Sequence, residues 1–437
     1  MRARKSISGM VIFAALLALA TGILCLSSVK RPTGSPQLVS DRQLFNGEEM
    51  CQWPEATYSP AAAAQDESLF SSIYDSTVYA AEEEAGQTRE ITRPPTRQIR
   101  DLDPIYSGIA VNTQFNEIVL MDQNTWSIRV FSRTDNTPSG ARLTEPKRVI
   151  QGPETEIQFN NGIYVDPING EIYSVETDTG DKVVVFPRDA KGDVKPARTL
   201  TTPHRGFALA VDEEKQELFV GIQYPPEVAV YRKGASDEEE PLRSLQGQST
   251  RLSDIHGIAL DVKNSLMFVI NWGHVSDYKT AGTGKFEDPS ISVYPINADG
   301  DTAPLRVIQG PRTQLNWPAQ MAIDPDSGNL YIANDMGQSV VVFDSKSQGD
   351  TAPIRVIQGN KTRLANPSGV AVDTRNKELW VSSFGNSSAS AFPLTANGNV
   401  APIRTIRSAP ANKVSLKFGK VEALAYDEAR DQIWVPN

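Results

Sequence analysis

His256 and Glu422 are the residues of this 437-residue chain best suited to proton transfer, because each stands one position ahead of a similar phrase, GIALD and ALAYD. An imidazole and a carboxylate on one ring of equivalent positions can serve as a general base and its partner when a nucleophile or water lies within hydrogen-bond reach. No such nucleophile can be placed from the sequence. His204, in TPHRGF, is a second loop histidine, and loop histidines are more often structural or solvated than catalytic. GxSxG, HExxH, phosphate-loop, CxxCH and dinucleotide fingerprints do not occur, so no enzyme class has a motif behind it. Two cysteines, Cys25 and Cys51, and three histidines exclude a disulfide framework and an imidazole-rich or four-cysteine metal cluster.

The elements that must position these residues are repeats. GIAVN, GIYVD, ALAVD, GIALD, QMAID, GVAVD and ALAYD end at residues 112, 166, 212, 261, 324, 373 and 427. About five residues after each comes a second apolar run: IVLMD, IYSVE, LFVGI, MFVIN, LYIAN, LWVSS and IWVPN. Short β-branched and aromatic runs bounded by Asp, Asn and Gly are strands in hairpins. A third run ends in Phe131, Phe186, Tyr231, Tyr294, Phe343 or Phe392, and a fourth carries Arg148, Arg198, Arg243, Arg306, Arg355 or Arg404. A proline two residues before each of these arginines marks the fourth run as the outer edge. An arginine repeated in this way is expected to be blade architecture, paired with a neighbouring carboxylate or carbonyl.

Only six such outer pairs follow the seven openings. Tyr79 and Arg89, in STVYAAEEEAGQTREIT, supply the missing pair ahead of the first opening. The expected fold is therefore all-β: a seven-bladed β-propeller of four-stranded blades. Its last blade is split two-plus-two between Ser76 to Arg93 and the C-terminal strands, a closure that leaves no unpaired edge.

The phrase GIAVD...LYIAN...VVVF...PIRVIQG resembles the NHL-repeat and YVTN or lactonase-like seven-bladed propellers of bacterial envelopes, over Ser76 to Asn437. The resemblance is specific for fold and poor for function, since those families include peptide, protein and carbohydrate binders, lyases and metal-dependent lactonases. It implies that a divalent cation such as Ca²⁺, if one is bound, sits on the channel axis among hard oxygen ligands. Glu422, Asn161, Asp122, Glu176, Asn271 and Asn334 would be the matching donors here. Against that, an Asp or Asn at a strand end ordinarily caps its own turn, and the uneven choice of residues around the ring describes no dedicated cage.

Binding is the stronger expectation. Propeller ligands sit at the channel mouth, where the positions preceding the opening phrases include Asn161 and Phe207. Between its second and third strands the fourth blade carries a long insertion, Asn271 to Ser290, where the fifth has only DMGQS. Its Trp272, His274, Tyr278, Lys279, Lys285 and Phe286 mix aromatic and cationic groups suited to a partner.

Lys plus Arg is 43 and Asp plus Glu 53, a net charge of −10, and the first 31 residues hold five basic and no acidic side chains. The remainder therefore carries −15, which argues against a phosphate-backbone ligand, so no nucleic acid is expected. Arg2, Arg4 and Lys5 precede an uncharged stretch from Ile7 to Val29, the layout of a signal peptide or N-terminal membrane anchor. Residues 30–75 lack apolar periodicity and read as a flexible linker, and residues 76–437 as the propeller. The expectation is an exported or membrane-tethered scaffold, in the periplasm or at the cell surface. It would bind a protein, peptide or glycan without a cofactor and meet the membrane only through an uncleaved leader. The alternative is a metal-dependent lactonase-type hydrolase.

Overall fold

The computed structural model describes residues 96–99, 106–177, 179–275, 284–386, 388–406 and 423–436. The leader, the linker with Cys51, the Ser76 to Arg93 strands, Tyr278, Lys279, Glu422 and Asn437 lie outside them.

Six four-stranded antiparallel sheets follow one another along the chain, at residues 106–150, 159–201, 206–246, 255–309, 318–358 and 367–406. Each is one blade, its strands in sequence order from the innermost outward. A two-stranded sheet, Ala425–Asp427 with Gln432–Trp434, comes last. The Asp427 carboxylate lies 3.7 Å from Arg133 of blade one, and Gln432 Oε1 accepts from the same guanidinium at 2.6 Å. On its other side, Asp431 accepts from Asn376 of blade six. The final hairpin is thus bonded to the first and the sixth blades at once.

Blades adhere because both faces of their middle strands are apolar. Glu117–Asp122 and Glu217–Ile222 are buried along their whole lengths, and the aromatics closing the third strands are at most 2% exposed. Leu218, Val220 and Ile222 of blade three pack on Tyr173 and Val175 of blade two, the pattern repeated around the ring. Fully burying one such side chain stabilises by about 1.5–3 kcal/mol.

The repeated polar residues hold turns and edges. Asp166 follows one first strand and Asp212 ends another, and each carboxylate accepts from backbone amides two and three residues on. The outer-strand arginines pair within their blades, as expected: Arg148 with Glu117, Arg198 with Glu171, Arg243 with Glu217 and Arg404 with Glu378. In the fourth and fifth blades the partners are the Ser345 carbonyl and the Tyr331 hydroxyl.

Neighbouring blades are also joined through the backbone. Gln309 N donates to Gly349 O at 3.2 Å and Gly349 N to Val307 O at 2.6 Å, clasping the outer strand of blade four to a turn of blade five. A 3₁₀ turn continues the clasp: Thr313 Oγ1 donates to Gly310 O at 2.6 Å, and the Asp350 carboxylate accepts from Arg312 N at 2.6 Å. Gly310 has φ 123°, and a Cβ there would meet the Asp350 carboxyl carbon at 2.7 Å, so glycine is required. The same clasp recurs with Gly152 and Asp193, Gly247 and Asp301, and Gly359 and Asn399.

Candidate aromatic site at the channel mouth

First strands begin, and second strands end, at the same end of the ring, so loops entering the blades and turns joining second to third strands share one face. Four rings from three blades form a ladder there. Phe207 opens the first strand of blade three, and its ring lies 4.3 Å from that of His256, at the same position in blade four. His256 stacks on Trp272 with centroids 3.3 Å apart and planes 4° from parallel, and Trp272 meets Trp317 of blade five at 4.6 Å. The indole of Trp272 donates to Pro318 O at 2.7 Å, which fixes its plane across the blade boundary. Contacts of this kind contribute about 0.5–1.5 kcal/mol each beyond area burial.

His256 is an architectural member of this ladder. Its side chain is 10% exposed, with Gln223 Nε2 at 3.0 Å and Asp254 Oδ1 at 3.3 Å from its Nε2. Burial pushes its pKa below the ordinary imidazole value, against the pull of Asp254. The ring is thus held between two aromatic faces with its Nε2 beside Gln223 and Asp254. Glu422, its expected partner, lies outside the described residues. His204 stands apart on the surface, its Nδ1 2.9 Å from Asp181.

The insertion of blade four is not wholly a loop. Its ends pair as a small antiparallel ladder, His274–Val275 with Lys285–Phe286. The chain can turn into it because Gly273, at φ 100°, lets Glu287 O approach to 2.1 Å of where a Cβ would sit. This hairpin reaches over blade three: His274 Nδ1 lies 2.6 Å from the Tyr224 hydroxyl, and its ring is 5.1 Å from both Tyr224 and Phe286. Phe286 remains 70% exposed.

Of the sequence candidates, Phe207, His256, Trp272 and His274 are therefore gathered on one side of the mouth. Asn161 adjoins them, donating to Phe207 O at 3.5 Å and accepting from Gln123 at 3.0 Å. Trp317, Tyr224 and Gln223 belong to the site and were not anticipated. Trp317 was legible only through register, standing where blades four and six hold Asp254 and Asn366.

The remaining oxygen donors do not converge. Glu176, Asn271 and Asn334 are buried at the ends of second strands, and each accepts one backbone amide of the loop entering its blade: Gln158 N at 2.7 Å, Ser253 N at 3.0 Å and Asn316 N at 2.6 Å. Asp122 caps its own turn at Asn124 N and Thr125 N. Among the described residues no group of three or more His, Cys, Asp or Glu is placed to hold an ion. These four side chains, engaged at strand and turn ends, do not fit a channel-axis cation. Burial pushes the Glu176 carboxyl up to about 7, in a position that blades four and five fill with the amides Asn271 and Asn334.

The family model "Lactonase, 7-bladed beta-propeller" matches residues 273–413, from the blade-four insertion to just past blade six. No curated protein matches the sequence. Among solved structures, the WD40 beta propeller domain of Doa1 aligns with a TM-score of 0.54 at 11% identity, covering 78% of this chain and 91% of that one. Likeness at that identity is one of fold, and it agrees with the sheets described above: the chain is a β-propeller of four-stranded blades.

Proposed function

We propose that this chain is a recognition scaffold, binding a partner at the channel mouth where the aromatic ladder and the blade-four hairpin present one surface. The observation that carries this reading is the ladder itself. Four rings contributed by three blades are stacked one on the next at the mouth, and the histidine best suited to catalysis is built into their stack. A preorganised aromatic surface on a rigid ring is the composition of a binding hot spot. The scaffold belongs outside the cytoplasm, exported or tethered by the leader, in line with the resemblance to NHL and YVTN propellers of bacterial envelopes. Its ring is completed as a seventh blade, with Ser76 to Arg93 supplying the outer strands. Arg97, whose guanidinium lies 3.4 Å from Gln432 Oε1, supports that route for the chain.

The match over residues 273–413 favours a second reading, a lactonase-type hydrolase. One set of measurements separates the two. Under the scaffold reading, immobilised protein captures a partner from envelope extract, Trp272→Ala weakens capture, and Glu422→Gln and His256→Ala leave folding intact. Neither Ca²⁺ nor Mn²⁺ then raises the thermal midpoint. Lactone hydrolysis that disappears in Glu422→Gln with an unchanged fold would replace the scaffold by the enzyme.

A further inference from the structure

Blades one and three use the same device to grip the blade that follows. In blade one, Gln123 stands just after the second strand, and its Nε2 donates to Asn161 Oδ1 at 3.0 Å, on the first strand of blade two. Gln223 holds the same position in blade three. Its Nε2 lies 3.0 Å from Nε2 of His256, which sits in the first-strand bulge of blade four where blade two has Asn161. An amide N–H can be donated to an imidazole nitrogen only where that nitrogen keeps its lone pair. The Gln123–Asn161 pair is therefore indifferent to pH in the range where an imidazole titrates, and the Gln223–His256 pair is not.

A carboxylate competes for the same nitrogen. Asp254 is 7% exposed, its Oδ1 is buried without a hydrogen-bond partner among the described residues, and that oxygen lies 3.3 Å from His256 Nε2. One nitrogen cannot accept from Gln223 and donate to Asp254 at once. The neutral ring that accepts from Gln223 leaves a buried carboxylate oxygen without a donor, a costly arrangement, and a proton taken up on Nε2 reverses both contacts. The charged groups around the ring are Asp254, from its own entering loop, and Arg205, from that of blade three. Burial opposes the imidazolium, Asp254 favours it and Arg205 opposes it, which together hold its pKa below the ordinary 6.5. The faces of Phe207 and Trp272 on either side can receive a cation. Next to Gln223 in the same turn, the Tyr224 hydroxyl lies 2.6 Å from Nδ1 of His274, so the turn that His256 anchors also carries the insertion hairpin.

We propose that His256 is a pH switch between blades three and four. Neutral, it accepts from Gln223 and ties the two blades; on taking a proton at Nε2 it releases Gln223, pairs with Asp254 and leaves a cation stacked on Trp272. The switch goes beyond the recognition reading and stands without it, because its readouts need no partner. The test uses the full-length protein, whose three histidines give three imidazole signals in nuclear magnetic resonance, assigned with His204→Gln, His256→Asn and His274→Gln. At about pH 8, above the imidazole range, the His256 nitrogen shifts should be those of the Nδ1–H tautomer. Acidification below pH 6.5 should protonate the ring and reversibly quench tryptophan emission while the far-ultraviolet circular dichroism stays unchanged. His256→Asn, which installs the pair seen between blades one and two, should abolish that quenching. Asp254→Asn should move the transition to lower pH, and Arg205→Gln to higher pH. An Nε2–H tautomer at about pH 8, flat emission in the wild type, or quenching retained in His256→Asn overturns the proposal. The first two are read on the wild type, so they decide the matter if a variant fails to fold.

Discussion

Blade two and the boundary between blades four and five solve the same structural problems with different chemistry. Between blades four and five, Gly310, Thr313 and Asp350 make a clasp of backbone and short side chains, and Asn334 ties the entering loop with a neutral amide. The boundary between blades two and three keeps the backbone part, Thr201 N donating to Asp237 O at 2.8 Å and Asp237 N to Thr199 O at 2.5 Å, but the chain there, TTPHRG, makes no 3₁₀ turn. There, Lys233 of blade three, 4% exposed, reaches back to Asp166 of blade two at 2.6 Å and to Glu213 at 2.6 Å. The entering loop of blade two is tied by Glu176 in place of an amide. Only at the strand-end position are the two regions directly equivalent, Glu176 in blade two standing where blade five has Asn334.

Removing the ammonium group should separate the two regions most sharply. Lys233→Ala leaves Asp166 buried without its partner, a change that characteristically destabilises by about 3–5 kcal/mol. Urea denaturation should show it, and a variant as stable as the wild type would mean that this boundary relies on packing alone.

Glu176 sharpens the contrast through pH. Its pKa is raised from 4.5 to about 7 by burial, so the folded state holds the proton more tightly than the unfolded chain. The associated stability is complete below the unfolded value and is lost as pH rises through the folded one. Thermal midpoints of the wild type should fall, by the equivalent of about 3 kcal/mol, from below pH 4.5 to above pH 7 relative to Glu176→Gln. Parallel curves for the two proteins across that window would show that Glu176 is ionised in the fold.

The smallest effect belongs to the clasp between blades four and five. Gly310→Ala forces a side chain into a conformation nearly exclusive to glycine and displaces Asp350, for a loss of about 1–3 kcal/mol. The loss should be the same at pH 5 and pH 8. A pH-dependent loss would show that the Asp350 charge, and not the backbone geometry, holds the boundary.

Much of the ring was legible in the chain because its blade elements are local: the capping aspartates, the buried aromatics and the paired arginines all recur at fixed positions in each repeat. The clasp was not, because its halves fall in different blades. IQG was visible as a motif, but nothing in one repeat says that Gly310 meets Asp350 of the next. At the site, the insertion around Trp272 and His274 was found as a departure from the repeat length. His256 was singled out by chemical type as a candidate base, but its stacking between Phe207 and Trp272 joins residues of two blades and is not written in either repeat. Trp317 escaped notice because it departs from the repeat in residue type and not in length.

The order of bonds along the chain also has a kinetic meaning. Clasp partners such as Arg312 with Asp350 and Lys361 with Asn399 are each 38 residues apart, whereas Arg133 and Gln432, which close the ring, are 299 apart. Contacts of short sequence separation form before distant ones, because bringing the ends of a longer chain together has a larger entropic penalty. Blades should accordingly assemble one upon the next, each finished outer edge templating its successor. The final hairpin should then complete a nearly formed ring, with that single closure expected as the slow step of folding.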